Sequence, residues 1–161
     1  MNLATVVETF AAGFVGASSM SAVMGIIHGT GYANADMIRA IGSLVTRKYE
    51  GSFGWGLAIH LLSGMLFAIP YTAIIGAFGE KSLLMSTGLG GLMGLMHGLV
   101  MSLILLGMVT ERHPMNRFKQ AGFEVAIAHV VGHIAYGIGV GAVTYALSID
   151  WGLRLGSAAA S

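Results

Sequence analysis

Apolar residues fill four long stretches of this chain, at 3–27, 54–78, 84–109 and 123–147, and the charged residues collect almost wholly between them. A spanning helix needs roughly 20 mostly apolar residues. The pattern therefore predicts an all-α bundle of four transmembrane helices, a single integral-membrane domain over residues 1–161. The first connection, 29–53, holds Asp36, Arg39, Arg47, Lys48 and Glu50. The second is a tight Gly79-Glu80-Lys81-Ser82 turn. The third, 110–122, holds Arg112, Arg117 and Lys119, and Pro114 opposes helix continuation there. Within the first connection Met37, Ile38, Ile41, Leu44 and Val45 recur at helical spacing behind a capping Asp36, with Arg39, Arg47 and Lys48 facing elsewhere. That predicts a short amphipathic helix lying in the membrane interface, and the plainer reading is an amphipathic loop packed under the bundle.

Composition agrees with the pattern. Only 9% of the residues are charged and the mean hydropathy is +0.79, where a soluble domain carries about a quarter charged residues. Cysteine is absent, which excludes disulfides, zinc–thiolate sites, iron–sulfur clusters and covalent c-type haem. A net charge of +1 gives no reason to expect nucleic acid. No Lys or Arg precedes the first apolar run and Glu8 interrupts it, so the N-terminus does not read as a cleavable signal. Connections one and three carry three Lys/Arg each, against zero, one and one in the remaining non-spanning segments. By the positive-inside rule those two connections are cytoplasmic and both termini lie outside or in the periplasm, which suits an inner-membrane protein.

Small residues recur every four positions in each predicted span. The rows are Gly13, Ala17, Ser21 and Gly25; Gly56, His60 and Gly64; Gly90, Gly94 and Gly98; and His133, Gly137 and Gly141. Lipid supplies no hydrophobic force between helices, so such rows let backbones approach and pack. There are more small faces than one contact per helix requires, which points to self-association or to other membrane subunits as partners. The chain also reads as a doubled helical hairpin. Ala58-Ile59-His60 resembles Ala126-Ile127-Ala128-His129, and each histidine follows its helix start by about six residues, roughly 9 Å.

The candidate chemistry is histidine at membrane depth, where ionisable side chains are expensive and so count as a candidate site. His60 and His129 form a shallower pair and His97 and His133 a deeper one. His129 and His133, four apart, share one helix face. Paired imidazoles from different helices suit haem b, and three or four would hold copper, with Met93, Met96 and Met101 near His97 favouring Cu(I). An imidazole chain can also relay protons or line a small-solute path. The plainer reading is that each histidine bonds to a backbone carbonyl beside a glycine and serves packing. Glu124 suits a helix N-terminus, Pro70 opens the bond to the Leu66 carbonyl, Trp55 and Trp151 suit interfacial anchors at opposite sides, and His113 reads as solvated. No nucleophile–base arrangement, phosphate loop or carboxylate pair is present, so no catalytic residues are assigned.

Residues 13–24 (GFVGASSMSAVM), Asp36-Met37 with Gly42 downstream, Gly54-Trp55-Gly56 leading to His60 and Gly64, and His113-Pro114 before a histidine-bearing last span together resemble a family of small uncharacterised bacterial and archaeal four-helix membrane proteins. The resemblance implies four spans and a recurring histidine in the second. It implies no activity. From the residues themselves the leading expectation is a non-catalytic accessory or structural subunit of a membrane assembly. The alternatives are a haem- or copper-binding electron-transfer subunit and a proton or small-solute path.

Overall fold

The structure, a computed structural model, describes residues 2–79 and 82–153. Glu80 and Lys81 of the expected tight turn lie outside the described residues. The helices are α1 (Leu3–Gly29), α2 (Met37–Thr46), α3 (Ser52–Ala77), α4 (Leu83–Ile104), α5 (Thr110–Arg112), α6 (Asn116–Lys119) and α7 (Phe123–Ala146), with a π-helical turn at Leu105–Val109 continuing α4. Four of them, α1, α3, α7 and α4 with the start of its π turn, are long and apolar enough to cross a membrane. The chain is an all-α, four-helix membrane protein. Caps set two of the starts: the Asn2 side chain accepts from the Thr5 amide at 2.8 Å and the Ser82 hydroxyl from the Met85 amide at 3.1 Å. α3 runs unbroken through Pro70.

Glycine decides how the spans meet. α1 packs antiparallel on α3, with Gly13 against the backbone of Gly64 and Met65, Ala17 against Gly64, and the Thr9 and Thr72 hydroxyls 3.3 Å apart. α4 packs antiparallel on α7 more closely still. A Cβ on Gly90 or Gly137 would overlap the other residue's carbonyl, and Gly94 and Gly98 face the backbone of His133 and Val130. α1 and α7 join these two pairs through Gly16 against Tyr136 and Val140, and Gly132 against Met20 and Met24. Around the ring the order is thus α3, α1, α7, α4. The ring stays open on its fourth side, since α3 and α4, although consecutive spans, barely touch.

The expected helix in the first connection exists, and its place is set by packing on α3. A Cβ on Gly42 would overlap the Ser52 carbonyl, and one on Gly56 the Ile38 carbonyl, so α2 lies antiparallel along the start of α3. The turn between them needs left-handed backbone at Arg47 (φ 55°) and Gly51 (φ 75°). α2 buries Met37, Gly42 and Ser43 and leaves Leu44 and Val45 exposed. Gly56, read as part of a span-to-span row, therefore serves α2 instead. Of the other row members, Ser21 bonds back to the Ala17 carbonyl and a Cβ on Gly25 would meet nothing within 4 Å. The remaining glycines of the rows are taken up inside the chain.

These contacts set a differential expectation. Gly137→Ala should lower stability by about 1–3 kcal/mol, the usual cost of overpacking, whereas Gly25→Ala should stay within about 0.5 kcal/mol of the parent. Thermal unfolding in detergent reads both, and equal effects would contradict the packing described.

Candidate functional site

The open side of the ring is a chamber of about 270 Å³. Its walls come from all four spans and from α2: Met20 of α1, Met37 and Ile41 of α2, Ile59, His60, Ser63, Gly64 and Phe67 of α3, His97 and Met101 of α4, and His129, His133 and Tyr136 of α7. All four histidines singled out from the sequence therefore face one cavity. The two charge-rich connections mark one end of the bundle, here the basic end, and the chain termini the other. At the basic end a second cavity of about 80 Å³ lies between α2, the π turn and the connection before α7. Met37, Ile41 and His129 line both cavities and form the partition between them.

Helix periodicity explains why these side chains meet. His129, His133 and Tyr136 fall at spacings of four and three on α7, while Gly132 and Gly137 beside them bring α1 and α4 close enough to surround that face. His60 is one turn before Gly64, so it reaches α1, and its Nε2 donates to the Ala17 carbonyl at 3.1 Å. His133 Nδ1 donates to the His129 carbonyl at 2.9 Å. His97 Nδ1 pairs with the Tyr71 hydroxyl at 3.2 Å. A carbonyl partner demands the N–H, so in the neutral ring the other nitrogen of His60 and of His133 is a lone-pair acceptor. His129 Nδ1 is buried with no hydrogen-bond partner among the described residues.

The rings also touch one another. His97 and His133 meet edge-on with centroids 4.7 Å apart, His129 and His133 lie 5.7 Å apart, and Phe67 covers His97 at 4.7 Å. The expected deeper pair, His97 with His133, is thus in direct ring contact, and a flat macrocycle would have to part the two rings to enter between them. His60 and His129 line the same chamber. Among the described residues no three His, Cys, Asp or Glu side chains are placed to hold a metal ion together. Beyond His97, Tyr71 bonds to its ring, and towards the terminal end a separate polar cluster forms where Thr72 meets Thr9 and accepts from the Trp151 indole at 3.0 Å. Trp151, expected as an interfacial anchor, turns its N–H inward.

Tyr71 and Tyr136 escaped the sequence reading. Their signal was spacing: Tyr136 is three residues beyond His133, and Tyr71 is seven beyond Gly64, each on the inward face. The Tyr136 hydroxyl donates to the Gly64 carbonyl at 2.6 Å, and the two phenol rings meet edge-on at 5.2 Å. His113 is a correction. Read as solvated, it is 1% exposed. It accepts from the Met115 amide at Nδ1, donates to the Ala40 carbonyl from Nε2, both at 3.0 Å, and packs edge-on to Phe118. It therefore ties α2 to the connection before α7 and lines the smaller cavity with Asp36, Asn34 and Arg117. His28 remains exposed at the end of α1.

No protein-family model matches this chain, and no curated protein or solved structure is significantly similar to it. Tyr136→Phe, which removes only the bond to Gly64, should cost between about 0.6 and 1.7 kcal/mol, the mean and maximum for interhelical bonds in membranes. Reversible unfolding in mixed micelles measures it, and an unchanged midpoint would discount the bond.

Proposed function

We propose that this protein relays protons through a membrane along its buried imidazoles. The observation that carries the reading is the unbroken run of contacts from Tyr71 through His97 and His133 to His129, which ends on the cavity at the basic end. Neutral imidazole accepts a proton at one nitrogen and releases one from the other. Ionisable side chains that face the interior of a membrane bundle are the usual stuff of such relays. Where ring nitrogens do not bond directly, the chamber has room for bridging water. The distribution of Lys and Arg supports a cytoplasmic membrane with the basic end inside and both termini outside. The role of accessory subunit drew its support from small faces to spare, and the chain's own helices fill most of those faces.

One observation favours a second reading, a bound metal or haem. His60, His97 and His133 each have one ring nitrogen held by a neighbour, as metal-ligating histidines do. An absorption spectrum with elemental analysis separates the two: a Soret band or stoichiometric copper in the purified protein would displace the proton reading.

The relay itself is tested in proteoliposomes holding a pH-sensitive dye, with a potassium diffusion potential as driving force. The parent protein should acidify or alkalinise the lumen well above empty liposomes. His133→Ala keeps the Cβ that packs on Gly98 and should reduce the flux by about a hundredfold or more, the typical effect of removing a positioned proton-transfer group. His97→Ala should do the same. Flux equal to empty liposomes, or unchanged in both variants, would remove the reading.

A further inference from the structure

The chamber differs from an ordinary hydrated pocket in where it opens. Three of the four helix contacts around the ring are closed by glycine, and the fourth, between α3 and α4, is not. At the basic end α2 closes the gap with Met37 and Ile41. Towards the terminal end Phe67 lies over His97 and Tyr71 bonds to it. What remains is a lateral window between Ile59 and Ser63 on α3 and Met101 on α4. On the same two helices the outer face is apolar and exposed: Leu62 and Leu66 are 60% and 61% exposed, and Val100 and Leu103 are 56% and 72%.

We infer that this window is the entrance to a binding site for a membrane-dissolved quinone, a flat carbonyl-bearing head on an apolar tail. Charge selects first. Among the described residues lining the chamber there is no Lys, Arg, Asp or Glu, so neither a phosphate head nor an ammonium head finds a counter-charge and a neutral head is favoured. Hydrogen bonding selects next. Carbonyl oxygens need donors and the corresponding quinol hydroxyls need acceptors: the N–H groups of His60 and His133 are bound to carbonyls, so their remaining nitrogens accept, while the open Nδ1 of His129 can carry the N–H that donates. The buried Nδ1 of His129 has no hydrogen-bond partner among the described residues, and a ligand oxygen would supply one. Shape selects third. His60, Phe67, His97, His129, His133 and Tyr136 line the space with rings, which suits a planar head over an aliphatic one. Size completes the description. At about 270 Å³ the chamber lies at the lower end of small-molecule sites. It therefore takes the head, and the tail lies in lipid along the α3–α4 gap. Binding at this site does not depend on proton movement and is read separately from it.

The test is equilibrium binding of a decyl-tailed benzoquinone to the protein in nanodiscs, beside decylbenzene and decanol as tail-matched ligands without the head. The chain has no cysteine, so thiol addition cannot imitate binding. Saturable binding of one quinone per chain is expected, tighter than either control by about tenfold or more. Ser63→Phe and Met101→Phe, which fill the window from opposite walls, should each weaken it by a similar factor. Leu92→Phe, 57% exposed on another face of α4, should leave it unchanged. Equal binding of decylbenzene would mean simple partitioning and overturn the site, and equal binding of decanol would overturn the quinone class. Unaltered affinity in both filled variants, or absence of saturable binding by the parent, would do so as well.

Discussion

Backbone-to-backbone approach at glycine is the constraint on which this structure depends. Between α4 and α7 even one methyl group at Gly90 or Gly137 would overlap a carbonyl. α1 is held almost as tightly to α3 and to α7. In lipid, where apolar side chains gain nothing by leaving one another's company, such close packing and a few hydrogen bonds are what hold helices together. The same constraint explains the opening. A helix whose small face is committed to one neighbour presents larger side chains to the next, so α3 and α4 meet through Phe67, Tyr71 and His97 rather than through backbone. Their separation leaves the chamber.

The histidines take their character from that opening. Each of His60, His97 and His133 has one ring nitrogen bonded to a partner from α1, α3 or its own helix. Only the bond of His60 to the Ala17 carbonyl of α1 has the form expected of a packing histidine, since His97 meets a hydroxyl and His133 a carbonyl of its own helix. All three bonds fix ring orientation, which is what a working site needs from its surroundings. Packing and function are therefore not alternatives for His60, because one nitrogen serves each.

α2 gives the chamber its floor at the basic end. It is a ten-residue helix docked by glycine on α3 and tied through Ala40 to His113 in a distant connection. Two cavities result, sharing Met37, Ile41 and His129 as their partition. Cation–π contacts of Arg39 with Tyr49 and Phe53, and of Arg117 with Tyr49 and Phe118, consolidate this end. They join the two connections into one layer beneath the chamber.

Much of this was legible in the chain. The four spans, their ends to within a few residues and the helix at 37–46 follow from hydropathy, turn chemistry and helical spacing, all of which are local. The convergence of all four histidines, the inward Tyr71 and Tyr136, the burial of His113 and the assignment of Gly56 to α2 were not legible, because each depends on which face of one helix meets which face of another. Small rows state only that a helix can approach closely, without naming the partner. By itself the sequence determined an all-α membrane chain with imidazoles at depth on glycine-lined faces. The tertiary structure alone decided that three contacts close and the fourth stays open, since close approach is a property of two backbones together and cannot be read from either one.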